Sequence, residues 1–250
     1  MSEFALQVLP DPEAVAERVS ALVLEERLAA SGTGLPLGLA TGRTMEPVYA
    51  RLVERAAALP AADRRRLREG WRSFNLDEYV GLPPSDPRSF AAAMAAQLVE
   101  PLGLDPARVL LPRGTAADPA AEARRYGAAL VEAGGLGLQL LGLGLNGHVG
   151  FNEPPCAATA SCRCVVLDPA TRAQNAAAFG GDAGAVPSRA ITLGLAEILA
   201  ARRLVLVVTG AAKAVVLRRL LEEPPLPELP ASWLRGHPDC QLLVDRAALG

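Results

Sequence analysis

The chain has 250 residues, half of them hydrophobic, with 25 basic and 27 acidic side chains and a formal net charge of −2. That length suits one α/β domain with a substantial core, and the near-neutral charge removes any global attraction to nucleic acid. No apolar run approaches the ~18 residues that span a bilayer. The opening Met-Ser-Glu-Phe also lacks a basic region followed by an apolar stretch, so no membrane partner and a cytoplasmic location are expected.

In chain order, Phe4 to Leu9 reads as a short strand. Residues 11 to 31 carry aliphatic side chains at helical spacing behind Pro12 and reach Gly32, which predicts an amphipathic helix. Leu35 to Ala40 is an apolar strand, and Thr41-Gly42-Arg43-Thr44 turns it into a helix through about Ala58. A strand, a tight glycine turn and a helix N-terminus present free N–H groups and partial positive charge to an anion; a plain turn capped by Thr44 would have the same sequence. The arginine run between Asp63 and Glu69 reads as a solvated helix face.

Trp71 to Leu76 predicts another strand with Asp77 and Glu78 at its carboxyl end, where a carboxylate serves as a general base or fixes a loop. Tyr79 to Pro84 reads as loop, Ser85 to Glu100 as a helix, Val109 to Pro112 as an edge segment at best, and Asp118 to Ala133 as a helix closed by Gly134-Gly135.

Residues 136 to 143 are leucine and glycine with one glutamine, the pattern of a strand buried on both faces. Past its end Asn146, His148, Asn152 and Glu153 stand among and after Gly142, Gly144 and Gly147, at the place where open α/β sheets hold ligands. Those glycines satisfy G-x-G-x-x-G but run into Phe-Asn-Glu-Pro-Pro instead of an apolar helix, which argues against a dinucleotide site. His148, one of only two histidines, sits in a glycine-rich turn near a carboxylate and is expected to carry protons.

Residues 155 to 186 lose periodicity apart from a helical turn or two within 170–179, and read either as a mobile lid over the site or as a surface excursion. Strands are expected at Arg189–Gly194 and Leu204–Gly210, with a short helix near 195–201 between them, and a last strand at Gln241–Asp245. His237, in Gly236-His237-Pro238, reads as structural. Lys213 is the only lysine, and it falls in the first turn of a helix, where the dipole disfavours a cation unless an anion is bound. Cys156, Cys162, Cys164 and Cys240 match neither a paired zinc motif nor a disulfide framework, so reduced thiols and no metal are expected. Alternating strands and helices predict the α/β class: a Rossmann-like open, mostly parallel sheet with helices on both faces, three layers in a single domain over 1–250.

Gly144-Leu-Asn-Gly-His-Val-Gly-Phe-Asn-Glu-Pro154, with Ser73-Phe-Asn-Leu-Asp-Glu-Tyr-Val-Gly81 upstream, resembles the isomerase-type glucosamine-6-phosphate deaminases, and the likeness extends from Gly38 to Pro238. The resemblance implies conversion of an amino-sugar phosphate, chiefly glucosamine 6-phosphate and water to fructose 6-phosphate and ammonia, without metal or organic cofactor. It implies that His148 opens the pyranose while Glu153 orients it, and that Asp77 moves a proton between C2 and C1 through an enolamine, with Glu78 structural. Asn146 stands where some members have aspartate. Thr41, Gly42, Arg43, Thr44 and Lys213 would hold the phosphate. Where the family usually has a phosphate-binding arginine this chain has Ala177, which leaves Arg43 or Arg172 to compensate. Arg163 is the only basic residue between Pro155 and Ala170, so no strong allosteric activation by a sugar phosphate is expected. A small-molecule sugar phosphate is the expected partner, and monomer and homo-oligomer both stay open. The alternatives are a 6-phosphogluconolactonase-type hydrolase on the same fold and a non-catalytic sugar-phosphate sensor. The former usually has Gly-His-Thr in the central motif; the latter usually carries a DNA-binding module before the sheet.

Overall fold

The computed structural model describes residues 4–29 and 34–250. The expected helix end at Ser31 and Gly32 lies outside them. Ten strands are described: β1 Ala5–Leu9, β2 Leu37–Leu39, β3 Ser73–Asn75, β4 Asp77–Tyr79, β5 Val109–Leu110, β6 Leu138–Gly142, β7 Arg163–Val166, β8 Arg189–Thr192, β9 Arg203–Val208 and β10 Cys240–Asp245. Seven form a parallel sheet in the order β1-β10-β9-β6-β2-β3-β5. Helices flank it on both faces, and the fold is the α/β class expected.

Apolar content sets the strand order. Leu138, Leu140, Leu141, Leu204, Leu206, Leu242 and Leu243 are fully buried, so the leucine-rich β6, β9 and β10 occupy the interior of the sheet. The edge strand β1 is exposed along most of its length. Helix Pro12–Leu28 starts where Asp11 accepts the Ala14 N–H and Pro12 follows the cap; it packs on helix Glu46–Ala57 and buries Val15, Val19, Leu22 and Val23. At roughly 1.5–3 kcal/mol per buried aliphatic side chain, such faces, rather than helix propensity, hold these helices in place. No described helix is long and apolar enough to cross a membrane.

The strand order reverses between β2 and β6, because β2, β3 and β5 proceed toward one edge while β6, β9, β10 and β1 occupy the other side. The carboxyl ends on either side of that switch point leave a crevice, and both predicted motifs follow from there.

Two features depart from expectation. Asp77–Tyr79 is a strand of its own, where Asp77 and Glu78 were expected at the end of the preceding strand and Tyr79 at the start of a loop; with β8 and β7 it builds a separate antiparallel sheet, order β4-β8-β7, so Arg189–Thr192 belongs to this small sheet and not to the large one. Leu76 is the pivot: its N–H donates to Leu39 O of the large sheet (2.8 Å) and its carbonyl accepts the Leu193 N–H of the small one (2.7 Å). Second, helix Phe90–Met94 passes through a π turn at Ala95–Val99 before finishing at Glu100–Leu102. His237 is structural as expected, with Nε2 2.8 Å from Ala201 O and Nδ1 accepting the Asp239 N–H.

Candidate active site

Thr41 to Thr44, Asp77, His148 and Lys213, which span most of the sequence, line one cleft of about 1030 Å³ at the carboxyl edge of the parallel sheet. The small antiparallel sheet and an aromatic cluster close its other side. The turn after β2 is the one predicted: Gly42 at φ 113° lets its carbonyl accept the N–H groups of Met45 and Glu46, after which helix Glu46–Ala57 begins. Thr41 Oγ1 is buried and has no hydrogen-bond partner among the described residues, leaving a donor free at the turn.

Lys213 ends the 3-10 turn Ala211–Lys213 and sits just before helix Ala214–Glu222. Burial first, then the positive charge of Arg43, lowers its pKa. Two cations are thus held near each other beside a helix start, and no carboxylate forms an ion pair with either among the described residues. A doubly charged anion would relieve both conflicts.

Asp77 stands opposite Thr192 in the small sheet and is only 6% exposed. Desolvation, reinforced by the neighbouring charge of Glu78, pushes its carboxyl up to about 8. Glu78 itself is structural: its oxygens accept the backbone N–H groups of Tyr79, Phe90 and Ala91, which fixes β4 to the start of helix Phe90–Met94. The two adjacent acids therefore differ in kind. One is saturated by backbone donors; the other faces the cleft.

His148 lies in the turn after β6, where Gly147 N–H bonds to Gly144 O (3.0 Å), Gly144 N–H bonds to His148 O (2.9 Å), and Asn146 Oδ1 accepts the His148 N–H (3.2 Å). Gly144 is required by contact, since a Cβ there would stand 2.4 Å from the imidazole ring. Burial, with the Lys213 charge second, lowers the imidazole to about 4, so it is neutral at physiological pH and fit to accept a proton. Asn152 braces the loop, its Nδ2 donating to Val149 O and Leu193 O and its Oδ1 accepting from Arg163.

Three expected site residues stand off the cleft wall. Asn146 acts through the turn just described. Glu153 makes no hydrogen bond to His148: its Oε2 accepts the N–H of Asp168, the cap of helix Pro169–Asn175. Glu153 Oε1 and His148 Nδ1 are both buried and unpartnered among the described residues. Arg172 is committed elsewhere, donating to Val186 O (3.1 Å) and Gly184 O (3.0 Å), and so fastens the segment that follows its helix; it is not the cation that compensates at Ala177. Ala177 does line the cleft, as does Arg43.

Sequence reasoning missed Tyr79, Asn175 and Arg88 on the cleft wall. The Tyr79 ring meets Phe90 at 4.7 Å, Phe151 at 5.7 Å and, edge-on, Phe179 at 5.7 Å. The signal was the run of aromatics at widely separated positions, which carries no local period.

Comparison with known proteins places this geometry. The family model for glucosamine-6-phosphate isomerases/6-phosphogluconolactonase matches residues 10–243. A glucosamine-6-phosphate deaminase of Rhodopirellula baltica is 42% identical over 245 residues, 97% of this chain and 94% of that protein. One from Streptomyces coelicolor is 40% identical, covering 96% and 90%. Among solved structures, a monomeric glucosamine-6-phosphate deaminase superposes with a TM-score of 0.92 at 32% identity over 99% of this chain and 100% of that one. A 6-phosphogluconolactonase from Trypanosoma brucei shares the fold at TM-score 0.75 and 23% identity over 99% and 98%. The chain belongs to the glucosamine-6-phosphate isomerase/6-phosphogluconolactonase family.

Proposed function

We propose that the protein is a glucosamine-6-phosphate deaminase, converting glucosamine 6-phosphate and water to fructose 6-phosphate and ammonia. The observation that carries this is the pairing, in one cleft, of a buried carboxyl at Asp77 with a neutral imidazole at His148 beside the Lys213 cation. Such a site has an anchor for phosphate and two separate proton carriers, which this isomerisation and deamination need.

In this reading the phosphate rests on the Thr41–Thr44 turn, Lys213 and Arg43, and its binding energy orients C2 against Asp77. His148 takes the proton of the anomeric hydroxyl and delivers it to the ring oxygen as the C1–O5 bond breaks and the aldehyde forms. Asp77 removes the C2 proton and returns it at C1, giving an enolamine and then a ketimine that water hydrolyses with loss of ammonia. The unpartnered Glu153 Oε1 and His148 Nδ1, five positions apart, support a role for Glu153 in holding the imidazole once substrate is bound. Asn146 acts as support for the turn. No cofactor enters these steps.

We also take the whole chain as one catalytic unit in which the part of the 155–186 segment that follows β7 moves over the cleft. The relatives' names favour the deaminase over the lactonase, and the cleft's acid and base favour catalysis over sensing. The test is purified protein given glucosamine 6-phosphate and, separately, 6-phosphogluconolactone: ammonia and fructose 6-phosphate in equal amounts, with no acceleration of lactone hydrolysis, is the expected result. Lactone hydrolysis without ammonia would overturn the reading, and tight binding of the sugar phosphate without turnover would make the protein a sensor.

A further inference from the structure

The cleft carries a third cation besides Lys213 and Arg43. Arg88 lies just before helix Phe90–Met94, while Lys213 and Arg43 follow strands of the parallel sheet. Its guanidinium is clamped in the plane of one carboxylate, with Nε 2.8 Å from Asp86 Oδ1 and Nη2 2.6 Å from Oδ2, and Asp86 also accepts the Arg88 backbone N–H at 2.9 Å. This pairing holds the Asp86 carboxyl down at about 2. The other support is Phe179, whose ring centroid is 5.3 Å from the guanidinium carbon. Phe179 in turn packs edge-on against Tyr79, two residues from Asp77.

A surface arginine with nothing to recognise gains little from being fixed, because ordering a long side chain costs up to ~2 kcal/mol of rotamer freedom. Here one carboxylate and one ring immobilise it, yet Nη1 has no hydrogen-bond partner among the described residues. Ala177 and Ala178 line the same cleft, with side chains too small to fill it. A prealigned donor facing open room in a substrate cleft is a recognition element.

Resting on the proposed deaminase reading, we propose that Arg88 is a substrate-binding, specificity-determining residue that donates from Nη1 to an oxygen of the sugar itself. Asp86 is its positioning residue. The acceptor is a hydroxyl rather than the amine, because a guanidinium repels an ammonium and an amine offers it no anionic partner.

The experiment is steady-state deamination by the wild type, Arg88→Met and Asp86→Asn, with competitive inhibition by inorganic phosphate measured in each. For Arg88→Met the expected result is a KM roughly ten- to hundredfold higher, the loss of a charge-assisted hydrogen bond, with most of the defect in KM and not in kcat. Asp86→Asn keeps the cation but loosens it and gives a smaller rise. The inhibition constant for phosphate stays put in both, which a general loss of structure would not produce. A KM within twofold of wild type in Arg88→Met overturns the proposal, and so does a phosphate inhibition constant that rises in step with KM, which would put Arg88 in the phosphate subsite. Arg88→Lys and the thermal midpoints guard against misfolding: partial rescue of KM at unchanged midpoint supports the assignment, and equal loss of KM and midpoint counts against it. Absence of ammonia release by the wild type would overturn the deaminase reading and this inference with it, whereas wild-type turnover with an indifferent Arg88→Met overturns this inference alone.

Discussion

Burial and like charge act in the same direction on Asp77, and the result is a carboxyl that stays protonated until the pH nears 8. Abstraction of a C2 proton needs the carboxylate, so the ionised fraction of the free protein should limit kcat/KM on the acid side. His148, held near 4, is already neutral through this range and adds no limb of its own. The expected profile between pH 5 and 9 falls about tenfold per unit below about pH 8. Initial rates at low substrate concentration measure it; a limb at pH 4 to 5 would mean that Asp77 titrates like a solvated aspartate. The same scale governs Gly144. An alanine there brings its Cβ within 2.4 Å of the imidazole, and displacing a proton carrier by about an ångström costs on the order of 100-fold in rate. Gly144→Ala should therefore lose kcat/KM by about that factor while melting near the wild type, and full activity would remove His148 from the chemistry.

Elements longer than a few residues with one clear period were legible from sequence. The leucine-rich β6, the glycine turn after β2 and the helix after Gly210 all stand where alternation, glycine and the lone lysine put them. The small sheet was not legible, although β8 itself was expected as a strand, because β4, β7 and β8 are three to four residues long and β4 pairs with β8 across more than 100 positions. Nor could charge alone separate Arg172 from Arg88: which arginine is captured by backbone carbonyls and which is aimed at the cleft depends on where Val186 O, Gly184 O and Asp86 come to lie. The proposed moving segment is tied down by Phe179 on Tyr79 and by Asp168 on Glu153. Phe179→Ala removes the larger of these contacts. Hydrogen exchange should then quicken over residues 168–181 while β6, β9 and β10 keep their protection, and KM should rise. Uniform acceleration across the sheet would show instead that the segment is an integral part of the core.

For the whole molecule, the decisive fact is convergence: residues 41–44, 77, 148 and 213 arrive at one crevice because the strand order reverses between β2 and β6. The parallel sheet supplies the proposed phosphate corner, and the small sheet holds Asp77 in the same cleft. Each half without the other would bind phosphate or hold a strained acid, and neither would deaminate a sugar. Ammonia release by Asp77→Asn, compared with the wild type at pH 8 and saturating glucosamine 6-phosphate, tests this most directly. A fall of at least about 100-fold, with inorganic phosphate still bound as tightly as by the wild type, is the predicted result; retention of more than a tenth of the activity would contradict it.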